Sequence, residues 1–329
     1  MSNLGTWGSR AGFVLAAAGS AVGLGNIWRF PYTAGQNGGA LFVLIYLISV
    51  IAIALPVLLG ELALGRFTGK NPVGAYRQIA PKSWWTAAGY LGVLTGFMIL
   101  SFYAVIAGWT TGYFFKAISG QFAGLDPQKA GQVFSTFTAN TPLQIGLLAL
   151  FLVLTAWVVS RGVSKGIESF SKVLMPLLLG ILLLLLFRAL TLDRAADGLA
   201  FYLKPDFTRL NPRVVVSAMG QAFFSLSLGM GTMITYGSYM SRKEHLPSAA
   251  LWVALCDTLI AILAGFIIFP AVFSQSMDPA GGPGLVFNIL PVIFAQIPGG
   301  QFFGALFFAL LAIAALTSTI SVLEVPVAY

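Results

Sequence analysis

The stretch Gly19-Ser20-Ala21-Val22-Gly23-Leu24-Gly25-Asn26 interrupts an apolar run that extends from about Ala11 to Gln36. A second run, from about Pro212 to Met240, is interrupted in the same manner at Ser225-Leu226-Ser227-Leu228-Gly229-Met230-Gly231. A helix that crosses a bilayer must satisfy its own backbone, because hydrocarbon offers no hydrogen-bond partner. Irregular backbone at that depth is tolerated only where it is buried in protein or lines a cavity. Two such interruptions, several spans apart, predict a solute-binding site near the membrane midplane between two broken helices.

The composition fits that reading. Of 329 residues, 58% are hydrophobic and 9% charged, and the mean hydropathy is +0.88. Such a chain is neither an ordinary soluble domain nor disordered; it is a polytopic membrane protein. At about 20 residues per crossing, the sequence predicts eight spans, at 11–36, 40–65, 86–119, 142–159, 167–190, 212–240, 248–273 and 301–329. All belong to one transmembrane domain, residues 1–329. The two broken spans are five apart, so the second enters from the opposite side, as in an inverted-topology repeat. The first repeat covers about 11–190. The second, about 212–329, stops within its third span, so the chain reads as incomplete.

A net charge of +8 invites a nucleic-acid reading. Many of the basic residues, however, occupy short loops on one side, whereas the opposite loops hold Asp126, Asp193, Asp197, Asp206 and Asp278 together with several basic residues. Arg66, Lys70, Arg77 and Lys82 share a loop with no acid, Arg161 and Lys165 occupy another, and Arg242 and Lys243 a third. That asymmetry marks the cytoplasmic side, places the amino terminus there, and implies membrane lipid rather than nucleic acid as the neighbour. Ala16-Ala17-Ala18 looks like a leader-cleavage site, but the helix continues to Trp28 and Pro31, so no cleaved leader is expected.

The loops 120–141 and 191–211 are polar and turn-rich. The segment 274–300 reads as an outer loop carrying a short capping helix.

In the first break, Gly19, Gly23 and Gly25 let the chain leave the helix at low steric cost. Unwinding frees carbonyls, which suit a hard cation, and amides, which suit a carboxylate. Close helix packing through small residues is the competing account. Recurrence of the pattern in the second break, with Ser225 and Ser227 as further oxygens, favours a cavity. Neither break holds an acid, so a ligand bearing both amine and carboxylate fits better than a simple amine.

Asp257 lies inside the seventh span, where an ionisable group is costly and usually functional. Glu61 is expected to brace a broken helix. Thr317 and Ser318, in the eighth span, are candidate cation ligands. Arg29 follows the first break and is placed to gate access from outside. Gly23-Leu24-Gly25-Asn26 is no dinucleotide fingerprint, since it follows a helix rather than a strand. No nucleophile motif or metal-ligand cluster is visible, so an enzyme is not expected. Cys256 stands alone, and His245 reads as a solvated loop residue.

The run from Gly19 to Pro31, with Asn37-Gly38-Gly39, 164–168, 220–229 and Leu316-Thr317-Ser318, resembles the neurotransmitter:sodium symporter family in its bacterial amino-acid branch. The resemblance implies an all-α LeuT-type fold and sodium-coupled symport of amino acids by alternating access across the cell membrane. It implies two sodium ions and no organic cofactor. The first ion would take the Ala21 carbonyl, Asn26, Ser225 and Asp257, together with the substrate carboxylate. The second would take the carbonyls of Gly19, Val22 and Ala314 with the hydroxyls of Thr317 and Ser318. The substrate pocket would comprise Ser20, Leu24, Gly25, Ile99, Tyr103, Phe224, Ser227, Met230 and Val322, gated by Arg29, Gln221 and Phe224. Tyr103 would bond the substrate carboxylate. Gly23 stands where carriers of simple amines place an aspartate, which favours an amino acid. Met230 is adaptable and suits varied hydrophobic side chains.

Two departures from the family pattern stand out. Leu4 lies where a basic inner-gate residue is usual. Spans nine to twelve are missing, along with the acidic partner expected for Arg29; another chain would have to supply them. A sodium-dependent amino-acid sensor that binds without translocating is the rival reading.

Overall fold

The computed structural model describes residues 6–329, so Leu4 lies outside the described residues. The described residues form helices and connecting turns, with no strand. The first broken span consists of α1 (Arg10–Ala21), a π-helical turn at Gly25–Arg29, and α2 (Phe30–Gln36). Its halves meet at 49°. The second span joins α3 (Ala40–Ser49) to α4 (Leu55–Thr68) through a π turn at Val50–Ala54. A short α5 (Pro72–Ile79) leads into α6 (Trp85–Ile118). After α7 (Pro127–Ala139) come α8 (Thr141–Ser160) and α9 (Ser169–Leu190), the latter entered through a π turn at Val163–Glu168.

The second half repeats the break. After α10 (Ala195–Leu203), α11 (Pro212–Ser225) and α12 (Thr232–Ser238) are separated by residues 226–231. Then follow α13 (Leu246–Ser274), α14 (Ile289–Gln296) and α15 (Gly300–Ala328). Six helices are long and apolar enough to cross a membrane, and the bent pair α1–α2 makes seven. The remaining span expected from the sequence is α11 with α12. Neither is long enough to cross alone, at 1.5 Å per residue.

The polar loops hold more helix than their composition suggests. Asp126 accepts the Lys129 amide at 2.8 Å and caps α7, which begins at Pro127. Hydrogen bonding to the Lys129 amide holds this carboxyl below its ordinary range. The expected short helix in the 274–300 loop is α14.

The packing places the two breaks at the centre. α1 lies among α9, α13 and α15, while α11 packs on α3 and α12 on α4. The approach of α12 to α4 is very close: a Cβ on Gly65 would lie 1.9 Å from the Ile234 carbonyl oxygen. α15 lies along α6. Ala17, Ala18, Val22 and Ala314 are fully buried.

Candidate functional site

The second break shows why its sequence unwinds. Ser227, Gly229 and Gly231 have φ of 54°, 81° and 80°. That left-handed region is cheap for glycine and strained for serine. Ser227 is held there by its hydroxyl, which donates to the Ser20 carbonyl at 3.3 Å, and by its amide, which donates to the Phe224 carbonyl at 3.2 Å. Glu61 accepts the Gly229 amide at 2.7 Å, so a carboxylate from α4 braces this break.

In the first break, side chains take up the freed amides. The Gly23 amide donates to Asn26 Oδ1 at 3.2 Å. The Leu24 amide donates to the Tyr103 hydroxyl at 2.8 Å. Gln221 Nε2 donates to the Gly25 carbonyl at 2.8 Å, tying α11 to the break.

Asn26, Ser225 and Asp257 converge, buried, from three different helical segments. Asn26 Nδ2 donates to Asp257 Oδ1 at 2.7 Å, to the Asp257 carbonyl at 3.0 Å and to Ser225 Oγ at 3.0 Å. Ser225 Oγ donates to Asp257 Oδ2 at 2.7 Å. The group thus offers one carboxylate with amide, hydroxyl and carbonyl oxygens, the donor chemistry of a hard cation. Ala21 lines the neighbouring cavity.

A second group lies between α1 and α15. Thr317 Oγ1 is 3.4 Å from the Val22 carbonyl and donates to the Ala314 carbonyl at 3.0 Å. Ser318 Oγ donates to the Ser20 carbonyl at 3.2 Å and lies 3.4 Å from that of Val22. Gly19 packs beside them: a Cβ there would lie 3.5 Å from Thr317 Cβ. These are again oxygen donors, here without a carboxylate.

Between the groups is a cavity lined by Ser20, Gly25, Ile99, Tyr103, Phe224, Ser227, Met230 and Val322. Of the nine pocket residues expected from the sequence, Leu24 falls outside. Leu24 lines a vestibule on the Arg29 side, and its amide donates to the Tyr103 hydroxyl. Ala21, Gly23 and Ser318 join the cavity wall instead. Gly23 is confined, since a Cβ there would lie 2.2 Å from Ser318 Oγ and 2.5 Å from the Tyr103 hydroxyl. Ser20 Oγ and Gln221 Oε1 are buried without a hydrogen-bond partner among the described residues.

Phe224, with Gly25 and Tyr103, lines both cavity and vestibule, and the Arg29 guanidinium stands 4.5 Å from the Phe224 ring centroid. One guanidinium nitrogen of Arg29 is buried and unpartnered among the described residues.

Two contributors were not legible in the sequence. Tyr46, fully buried on α3, brings its hydroxyl within 3.5 Å of Ser225 Oγ. Glu168 accepts the Gly8 amide at 2.6 Å and the Ser9 hydroxyl at 2.9 Å, fastening the start of α1 to the π turn before α9.

The model of the sodium:neurotransmitter symporter family matches residues 4–129 and 128–328. The chain is 44% identical to an uncharacterized sodium-dependent transporter, YhdH, of Bacillus subtilis, over 98% of this chain and 71% of that protein. An uncharacterized sodium-dependent transporter of Haemophilus influenzae is 39% identical, with 97% and 72% covered. The human sodium- and chloride-dependent taurine transporter is 30% identical, with 95% and 58% covered. Among solved structures, MhsT in complex with L-phenylalanine superposes with a TM-score of 0.92 at 52% identity, covering 98% of this chain and 74% of that one.

Proposed function

Because the chain belongs to the sodium:neurotransmitter symporter family, we propose that it carries out sodium-coupled symport of amino acids, with hydrophobic side chains preferred. The observation that carries this reading is the cavity at the first break. Its wall has the Tyr103 hydroxyl and Gly23 on one part, and Ile99, Phe224, Met230 and Val322 on another. The phenol accepts from the Leu24 amide, and its own hydrogen would donate to a substrate carboxylate. The apolar residues take the side chain. The fit of L-phenylalanine to the similar MhsT supports the same class of substrate.

Sodium is the co-transported substrate. One ion would sit with Asn26, Ser225, Asp257 and the Ala21 carbonyl, beside the amino-acid carboxylate. The other would sit with Thr317, Ser318 and the carbonyls of Gly19, Val22 and Ala314. In this arrangement Asn26 turns its amide oxygen to the ion, and Asp257 gives up a hydrogen bond in exchange for a cation. Arg29, Gln221 and Phe224 close the cavity toward the vestibule. The described helices act as one transmembrane domain, with the amino terminus cytoplasmic and two inverted repeats moving against each other.

The test is equilibrium binding of labelled L-phenylalanine to purified protein, followed by uptake into proteoliposomes with an inward sodium gradient. Sodium-dependent binding with concentrative uptake is the expected result. Sodium-dependent binding without uptake would make the protein a sensor. Binding indifferent to sodium would remove the proposed cation sites.

A further inference from the structure

The loop between α4 and α6 carries Arg66, Lys70, Arg77 and Lys82 and no acid. None of the four forms an ion pair among the described residues. Lys70, Arg77 and Lys82 are exposed. On the opposite side Lys129, Arg194 and Arg209 are paired with Asp126, Asp197 and Asp206 at 3.1, 2.9 and 3.3 Å, while Lys204 and Arg213 form no ion pair among the described residues.

Large apolar side chains stand among these cations, of which Arg66 donates to the Glu244 carbonyl at 2.8 Å and Arg77 to the Tyr90 hydroxyl at 3.1 Å. Trp84 is 93% exposed and Trp85 62%, with Phe67 and Ile79 also outward. Indoles at the base of a span, interleaved with unpaired cations, form a surface suited to the headgroup layer of a bilayer. Membrane orientation alone accounts for basic residues in this loop. It does not account for their link to the site.

That link runs through α5. Asn71 caps α5 by accepting the Gly74 amide at 2.8 Å, and its Nδ2 donates to the Ala328 carbonyl at 2.9 Å. Tyr76 stacks on Trp85, with ring centroids 6.3 Å apart and planes at 15°. Pro72, buried at the start of α5, presses on the second break: a Cβ on Gly231 would lie 2.6 Å from its Cγ. Gly231 closes the unwound segment that begins after Ser225. The platform that carries the cations is therefore in contact with the element that must rearrange.

We propose that Lys70, Arg77, Lys82 and the Trp84–Trp85 pair form a binding surface for anionic phospholipid headgroups, and that an occupied surface holds α5 against Gly231 and restrains the second break. Assignment of this surface to the inner leaflet rests on the orientation proposed above. The binding itself does not, because both leaflets of a nanodisc present the same lipid.

The test uses the whole chain in phosphatidylcholine nanodiscs that contain a minor fraction of brominated phosphatidylglycerol or brominated phosphatidylcholine. Bromine quenching is read as the difference between wild type and Trp84→Phe/Trp85→Phe. Phosphatidylglycerol should quench at a lower mole fraction, by roughly fivefold for each charge engaged. Lys70→Gln/Arg77→Gln/Lys82→Gln should abolish the preference, whereas Lys129→Gln/Arg194→Gln/Arg209→Gln should leave it intact. Should the first triple variant fail to fold, exposed Lys82→Gln alone should show a several-fold loss. Equal quenching by the two lipids, or equal loss in the control triple, overturns the surface. Amide exchange of residues 226–231 should be slower with phosphatidylglycerol, and this slowing should vanish in the Lys70/Arg77/Lys82 variant. Unchanged exchange would overturn the coupling. Neither measurement depends on amino-acid or sodium binding, so failure here is distinguishable from failure of the transport reading.

Discussion

Asn26 and Asp257 are joined twice: the amide nitrogen of Asn26 donates to the carboxylate of Asp257 at 2.7 Å and to its backbone carbonyl at 3.0 Å. The first break is thereby fixed to α13 through one side chain, with Ser225 from the end of α11 on the same carboxylate.

If that group holds sodium beside the substrate carboxylate, sodium and amino acid must raise each other's affinity by the same factor. Replacing sodium by potassium should weaken L-phenylalanine binding by more than about fivefold, the low end of a coupling of ~1–3 kcal/mol. A scintillation-proximity titration in the two salts checks this, and matching curves would refute it.

Gly23 has no room for a side chain between Ser318 and Tyr103. Gly23→Asp should abolish L-phenylalanine binding, because the new carboxylate both fills the cavity and repels that of the ligand. For the wild type, the decarboxylated analogue phenethylamine should compete poorly. If it competes as well as phenylalanine, the carboxylate has no part in recognition.

We propose that Asp257 supplies a fixed negative charge at the first cation site. Some relatives are described as sodium- and chloride-dependent. Here binding should proceed equally in sodium chloride and sodium gluconate. Asp257→Asn should bind less well in gluconate, with partial recovery in chloride where the cavity admits the ion. Wild-type dependence on chloride, or a mutant that behaves as wild type in gluconate, argues against this role.

Glu61 should matter for order rather than for recognition. Glu61→Ala removes the acceptor of the Gly229 amide, a hydrogen bond to a charged group worth about 1.5–3 kcal/mol. Faster amide exchange at Gly229 and a lowered unfolding temperature are expected, while Glu61→Gln, which keeps an acceptor, should be milder. Unaltered exchange at Gly229 in Glu61→Ala would show that the brace is dispensable.

The breaks were legible because glycine clusters within apolar runs have few other uses at membrane depth. Ser225 and Asp257 stood out as polar residues within apolar spans, Asn26 joined them only through the family resemblance, and the structure brings the three together. Leu24 was harder. A helical phase can be counted along α1, but it is lost at the break, so the direction of the next side chain cannot be inferred from spacing. Tyr46 is hidden for a related reason: α3 is apolar around most of its surface, and one phenol among leucines and isoleucines does not reveal which way it points. The Glu168 contact with Gly8 and Ser9 spans most of the first repeat and leaves no local pattern. α7 was masked by a polar composition, although Asp126 before Pro127 is a helix-start signal.

The Ser20 carbonyl accepts from Ser227 at 3.3 Å and from Ser318 at 3.2 Å. A carbonyl oxygen has two lone pairs, so this one is saturated. It has nothing left to offer an ion, and that confines any cation between α1 and α15 to the Val22 side. The two hydroxyls come from segments on either side of α1. A rotation of α1 that turns this oxygen away strands both at once, so the two contacts should part in concert rather than in sequence.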